Sequence, residues 1–307
     1  MAKYALCIGI SDYSLWASAS WPSPNLPCSL QCAEDFKDLL INAFGFPEAN
    51  VRMMRDAWAT RGNILQGIDD LLKVSKAGDV VCVFFSGHGA RVPGVAPDGT
   101  PEVDRFYEGI LPYSGALVTD FDLNRLVERL EFGHVNLTVV LDSCHSGGMH
   151  PVEGAPRAQG APLTPAGFVA CRELVPFGLC LAADADAVSC TVDASGVATS
   201  SEQDHFTSSA KSTLIAATAF DQFGWQIPAI NSSILVGAIK AVVNQSNFQT
   251  SYDDFLPAVR GQAAALMAGH VTSIQAYAVA RSVPQLYGQR ARMVENLLAP
   301  FTFSIPG

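Results

Sequence analysis

Basic charge is scarce in this chain: 19 Lys and Arg stand against 29 Asp and Glu, a net charge of −10, and no basic stripe interrupts the balance. That argues against a protein that grips a phosphate backbone. Charged residues of both signs make up only 16% of the chain and hydrophobic ones 49%, which excludes disordered, collagen-like and coiled-coil compositions. Long apolar runs are missing too. The opening MAKYALCIGI gives way to Ser11 and Asp12 too early for a membrane span, and it carries no small-residue cleavage site of a signal peptide. A soluble, cytoplasmic protein is expected, with neither nucleic acid nor membrane as partner. Phosphate cradles of the GxxxxGK[ST] and GxGxxG types are absent. The phosphatase arrangement, Cys then five residues then Arg, fails because His150 stands at that place. A metal site drawn from His88, His134, Cys144, His145 and His150 lacks paired spacings such as CxxC or HxxxH. Eight cysteines are scattered, Cys7 and Cys82 inside apolar runs, which suits reduced buried thiols rather than a disulfide framework.

What is present is a regular alternation. Tyr4–Ile10, Val80–Phe85 and Leu137–Leu141 are continuous apolar runs of strand length, the pattern of strands buried on both faces. Between them, Ala33, Phe36, Leu39, Leu40, Ala43 and Phe44 recur at helical spacing and stop at Gly45 and Pro47. Ile64, Ile68, Leu71 and Leu72 repeat the spacing after a cap at Thr60, and Leu123, Leu126, Val127 and Leu130 mark a third helix. Strand, helix, strand in this order predicts an α/β fold with right-handed crossovers, a mostly parallel sheet and helices on both faces.

From Met149 to Ala210 the pattern decays into Pro, Gly, Ala, Ser and Asp, with Phe177–Ala183 and Val188–Val192 as the two strand-like runs. Regular structure resumes with a strand over Thr213–Thr218, a helix over Ile234–Val243 and a helix over Tyr252–Met267 capped by Ser251. The decayed stretch reads as an excursion from one sheet. The expected organisation is a single domain over 1–307: a first half over 1–148, an irregular insertion or linker over 149–210, and a second half over 211–307.

The chemistry lies just past two strands. Ser86, Gly87, His88 and Gly89 follow the run ending at Phe85, and Asp142, Ser143, Cys144, His145 and Ser146 follow the run ending at Leu141, so His88 and Cys144 have the same offset. In an open parallel sheet, ligands bind outside the carboxyl ends of the strands. If the two strands are neighbours about 4.8 Å apart, the imidazole and the thiol face each other across a cleft. Cysteine is the strongest side-chain nucleophile near neutral pH, and an imidazole beside it can lower its pKa to roughly 3.5–7.5. Glycine on either side of His88 permits a sharp turn and close approach of a substrate to the main chain. Each residue alone would ordinarily be a turn histidine or a small buried hydrophobe; the pair at equal offset points to Cys144 as nucleophile and His88 as acid and base.

At these residues the chain resembles the caspase-like cysteine peptidases, specifically the metacaspases and their bacterial relatives, the orthocaspases. VFFSGHGAR is similar to the family's histidine motif and LDSCHSGG to its cysteine motif. YALCIGISDY resembles the first strand, NVRMMRDAWATRGNILQGIDDLL the second strand and helix, and EGILPYSG with VTDFDL the segment between the motifs. LIAATAFDQFGWQ, NSSILVGAIKAV and VPQLYG resemble the small-subunit half. The resemblance implies a caspase-like three-layer sandwich and a cysteine endopeptidase, with His88 and Cys144 catalytic and the amides of Gly89 and Cys144 holding the oxyanion. It implies a histidine oriented by a backbone carbonyl rather than by a third side chain.

The resemblance also implies cleavage after Arg or Lys, through a pocket containing Asp142 and Ser86, so that the partners are protein or peptide substrates with exposed basic residues. One departure stands out: the family's second pocket aspartate is replaced by Cys32. Cys32 is then either a pocket residue or a turn residue capping the first helix; Asp12 and Asp35 are candidates for the missing carboxylate, or the specificity differs. No cofactor is required, although calcium activation is a candidate property, with the acidic stretch Asp98, Glu102, Asp104 and Glu108, read as a loop, as its site. Arg157, Arg172 and Lys211 are candidate sites of self-cleavage (autoprocessing) in or beside the irregular segment. A monomer is expected. The alternatives are a caspase-like scaffold closed off by its insertion, which binds a partner without catalysis, and a related cysteine peptidase with a non-basic pocket.

Overall fold

The computed structural model describes residues 1–17, 22, 24–95, 101–128, 130, 135–143, 169–170, 191–192, 198–199, 212–218, 224–244, 249–270, 283–288 and 292–300. In chain order the first half contains β1 (Lys3–Gly9), α1 (Ser29–Asn42), β2 (Val51–Arg55), α2 (Arg61–Val74), β3 (Val80–Ser86), β4 (Gly89–Val95), β5 (Pro101–Ile110), β6 (Val118–Thr119), α3 (Asp120–Val127) and β7 (Asn136–Asp142). Three two-residue strands follow, β8 (Val169–Ala170), β9 (Thr191–Val192) and β10 (Ala198–Thr199). Then come β11 (Ser212–Ala216), β12 (Trp225–Ile227), β13 (Ser232–Ser233), α4 (Ile234–Val243), α5 (Tyr252–His270) and β14 (Gln285–Tyr287).

The central sheet has six strands in the order β14-β11-β7-β3-β1-β2. Its pairs from β2 through β11 are parallel, and β14 closes the edge antiparallel to β11. From β1 the chain steps outward to β2 and then crosses to the other side of β1 for β3, so the connections diverge between β1 and β3. That is the switch point where an open α/β sheet leaves a crevice at its carboxyl edge.

Local chemistry accounts for the helix limits. Gly45 takes φ +67° and the Phe46 N–H returns to the Leu40 carbonyl at 2.9 Å, closing α1 as the glycine predicted. Thr60 accepts the Asn63 N–H at the start of α2, and the Ser251 hydroxyl accepts the Asp254 N–H at 3.1 Å at the start of α5. α1 is different: its cap residue, Cys28, offers no side-chain cap of its own.

Helices cover both faces. Phe36, Leu39 and Leu40 of α1 pack with Leu235, Ile239 and Val242 of α4 and Phe255 and Val259 of α5 on the face that includes Ala5, Cys7 and Phe84. Ile64, Ile68 and Leu71 of α2, with Leu126 of α3, cover the face of Leu6, Ile8, Val83 and Phe85. Period-two alternation along β1 and β3 divides the two cores.

Two expectations need correction or limits. The acidic stretch read as a loop is partly a strand: Glu102, Asp104 and Glu108 lie on β5, which pairs antiparallel with β4, while Asp98 lies outside the described residues. The interruption of hydrophobic periodicity by charge hid a hairpin whose backbone hydrogen bonds are satisfied by its partner strand. Most of 149–210, including Phe177–Ala183, lies outside the described residues, and Val188–Val192 is described only at Thr191 and Val192. Among the described residues no helix is long and apolar enough to cross a membrane.

Candidate active site

β3 and β7 are adjacent and parallel, with Phe85 opposite Leu141 and Ser86 opposite Asp142. The equal offsets in sequence are therefore equal positions in space as far as Asp142, and the Gly87 N–H donates to the Asp142 carbonyl at 3.3 Å to carry the pairing one step further. Gly87 itself admits nothing larger. A Cβ there would stand 2.4 Å from the Tyr13 hydroxyl and 2.6 Å from Phe85 Cζ.

His88 follows, 1% exposed. Its position is over-determined by the loop after β1. The Tyr13 hydroxyl accepts the His88 backbone N–H at 2.9 Å and donates to the Leu111 carbonyl at 3.1 Å, and the two rings meet edge to face with centroids 4.6 Å apart. His88 Nε2 lies 2.6 Å from the Pro24 carbonyl oxygen. That loop is pinned in turn, with Asn25 Oδ1 accepting the Tyr13 N–H at 2.8 Å and the Leu26 N–H donating to the Ser11 carbonyl at 2.9 Å. Gly89 begins β4 opposite Ile110, and the Leu111 N–H donates to the His88 carbonyl at 2.9 Å. Tyr13 and Pro24 were not foreseen as site residues, because an orienting hydroxyl or carbonyl leaves no spacing signature.

Ser86, Asp142 and Cys32 converge on the α1/α4 face. The Ser86 hydroxyl donates to Asp142 Oδ2 at 2.7 Å. The Ser233 backbone N–H donates to Cys32 Sγ at 3.1 Å. Gln226 adds a long-range cap to α1, its Oε1 accepting the Cys28 N–H at 3.1 Å while its Nε2 donates to the Ser29 hydroxyl at 2.7 Å. Burial pushes the Asp142 carboxyl up to about 6, against the pull of the hydrogen bond from Ser86. Burial, reinforced by Asp142, pushes the Cys28 thiol up to about 11 and the Cys32 thiol higher still, so both are neutral near pH 7.

The other carboxylates considered for the pocket are engaged elsewhere. Asp35 pairs with Lys240 of α4 at 2.5 Å, and Asp12 accepts the Ser14 N–H at 2.9 Å on the surface. Cys7 and Cys82 are buried free thiols, as their apolar setting suggested. Cys144, His134, His145, His150, Arg157, Arg172 and Lys211 lie outside the described residues, and among the described residues no cluster of His, Cys, Asp or Glu could hold a metal ion.

The fold, a mostly parallel six-stranded sheet with helices on both faces, is of the caspase-like α/β class. A crystallised protein of Geobacter sulfurreducens has the same fold, with a TM-score of 0.63 at 18% identity, over 98% of this chain and 100% of that one. Residues 3–153 match the model of the metacaspase, peptidase C14 domain. The chain is 37% identical over 159 residues to metacaspase-7 and 34% identical over 157 residues to metacaspase-6, both of Arabidopsis thaliana. Over residues 3–153 the chain is therefore similar to a metacaspase peptidase domain. The matches cover 48% of this chain but only 36% and 39% of the two plant proteins, so the chain spans well under half of these relatives.

Proposed function

We propose that the chain is a cysteine endopeptidase that uses Cys144 as nucleophile and His88 as acid and base, and that cleaves after Arg or Lys. The observation that carries the reading is the register of β3 with β7, which brings Ser86 and Gly87 beside Asp142 immediately before the histidine and the cysteine. The contact of His88 Nε2 with the Pro24 carbonyl supports it further. A carbonyl only accepts, so Nε2 carries the proton in this contact, and the neutral ring keeps its lone pair on Nδ1.

Nδ1 takes the thiol proton and the Cys144 thiolate attacks the scissile carbonyl carbon. The amides of Gly89 and Cys144 hold the oxyanion. The imidazolium returns its proton to the leaving amine as the C–N bond breaks, and a water molecule then hydrolyses the thioester, losing a proton to His88. A basic side chain before the scissile bond is recognised by Asp142, oriented by Ser86, with Cys32 on the wall. The Pro24 carbonyl holds the ring for both proton transfers.

A second reading is favoured by one feature of the pocket: Asp142 is 4% exposed and its carboxylate already accepts from the neutral Ser86 hydroxyl. On that reading the peptidase takes an uncharged side chain. The test is digestion of a mixed peptide library by the protein and its Cys144→Ala variant, with and without calcium, with the cuts mapped by mass spectrometry. Cuts after Arg or Lys that need Cys144 are the expected result. Cuts after uncharged residues select the second reading, and no Cys144-dependent cuts under any condition overturn both in favour of a non-catalytic scaffold.

A further inference from the structure

β1 and β2 run side by side only as far as Gly9 and Arg55. The next residue, Asp56, turns the chain away with φ +39°, a left-handed value that side chains other than those of asparagine and aspartate tolerate poorly. Its carboxylate goes on where the strand stops. Oδ1 accepts the Ser11 N–H at 2.7 Å and the Asp12 N–H at 2.9 Å, two successive amides just past β1. The Ile10 N–H, one residue earlier, donates to the Ser86 carbonyl at 3.0 Å, so the chain leaving β1 is held from both neighbouring strands. A side-chain oxygen thus stands in for the backbone of a strand that has already turned away.

Ser11 is also the base of the loop that holds His88. Its carbonyl accepts the Leu26 N–H at 2.9 Å and its hydroxyl accepts the Leu30 N–H at 3.0 Å, which ties both ends of the loop to the start of α1. Between those ends lie Tyr13, whose hydroxyl accepts the His88 N–H, and Pro24, whose carbonyl lies against Nε2. The turn that begins with Asp56 reaches the opposite wall as well. The Ala59 carbonyl accepts the Tyr113 N–H at 2.9 Å, and the Tyr113 carbonyl accepts from Trp16 Nε1 at 3.0 Å. Leu111, two residues before Tyr113, bonds to the Tyr13 hydroxyl and to the His88 carbonyl. The Asp56 turn is therefore joined to both segments that clamp the imidazole.

We propose that Asp56 is a positioning residue for His88: by holding the Ser11 and Asp12 amides from a left-handed turn, it fixes the loop that sets the tautomer and the direction of the ring. This rests on the reading of His88 as the acid and base. A backbone held in a sparsely populated conformation persists where its surroundings over-determine it, and here those surroundings are the two walls of the histidine clamp.

The test follows the Nε2–H proton of His88 by NMR in the Cys144→Ala protein, which needs no substrate. Asp56→Gly keeps the turn at no steric cost but removes the acceptor, and is expected to speed exchange of that proton with water about tenfold. Asp56→Asn keeps an acceptor oxygen and tolerates the same φ, and is expected to return the exchange to within about threefold of the parent. In the active protein, Asp56→Gly is expected to lower kcat about tenfold for a peptide that the parent cleaves, with little change in KM, because the ring is misdirected while Ser86 and Asp142 keep their places.

Unchanged exchange in Asp56→Gly overturns the proposal, as does an Asn variant that exchanges as fast as the Gly variant. Should Asp56→Gly not fold, native-state hydrogen exchange of the parent in low urea decides. Amides of Ser11, Asp12 and His88 that open together support the role, and a His88 amide that stays protected while the other two open refutes it. A chain without peptidase activity would remove the kinetic arm together with the reading of His88, while the exchange of the Nε2–H proton would still decide the part played by Asp56.

Discussion

On the α2/α3 side of the central sheet, Ile8, Val83, Phe85 and Leu141 meet only apolar partners and leave an apolar cavity of about 20 Å³. On the α1/α4 side Phe36 stacks on Phe84 at 4.3 Å, but the carboxyl edge of that face also buries polar pairs, Ser86 with Asp142, Ser233 with Cys32 and Gln226 with Ser29. Successive residues of β3 divide between them: Phe85 joins one core, and Phe84 and Ser86 face the other. One face stabilises the sheet, and the other does so while carrying unfavourable desolvation for recognition. The proposed site thus occupies the last polar residues of strands that are otherwise core.

The largest expected effect lies at the seam between the faces. His88→Ala should lower kcat by about 10²- to 10⁴-fold with the fold retained, as measured by single-turnover peptide cleavage beside circular dichroism. An active His88→Ala variant would remove the catalytic edge from the comparison.

Next in size are the cores. Phe84→Ala should cost about 3–5 kcal/mol in urea unfolding, because a fully buried ring stacked on Phe36 leaves a cavity that its neighbours cannot fill. Leu137→Ala on the opposite face should cost about 2–5 kcal/mol. A cost near zero at either site would show that the faces are not equally packed.

The polar edge should have its own pH signature. Asp142 in the folded chain holds its proton up to about 6, above the ordinary 3.8, so the folded state binds more protons than the unfolded one between those values. Stability from this group is therefore greatest at low pH and falls as pH rises through that window, by about 3 kcal/mol at most. Asp142→Asn should flatten that part of the curve in urea titrations at pH 4 and pH 7. An equal slope in both proteins would mean that the desolvation of Asp142 is offset in a way the Ser86 hydrogen bond does not explain.

The smallest effect belongs to the apolar cavity. Val83→Ile should change stability by no more than about 1 kcal/mol, in the stabilising direction if the added methyl group enters the free space beside Ile68 and Leu137. A loss of more than that by thermal unfolding would show that the space cannot take a methyl group.

Much of the fold was legible because it obeys short-range rules. Apolar runs of strand length became β1, β3 and β7, and the Thr60 and Ser251 caps and the Gly45 stop act where the residue types indicate. The β4–β5 hairpin was missed because its strands alternate charge with Pro and Gly rather than with apolar residues, so neither period stands out. In the site, His88 was legible from its place beyond a strand, and Ser86 and Asp142, the last residues of β3 and β7, from the family resemblance, whereas Pro24 acts through its carbonyl, which every residue has. Gln226 and Ser233 were illegible for another reason: their partners lie about 200 residues away, and no local pattern encodes a contact at that range.

By itself the sequence determined the strands, the helix limits and the equal offsets of His88 and Cys144, because these depend on side-chain periodicity, capping and the covalent order of the chain. Only tertiary structure decided that β3 and β7 are neighbours in register, that the carbonyl against the histidine is that of Pro24, and that a serine from the second half donates to Cys32. Those relations arise from burial: a carboxyl or an imidazole removed from water must find its hydrogen-bond partners in whatever part of the chain the packing brings to it.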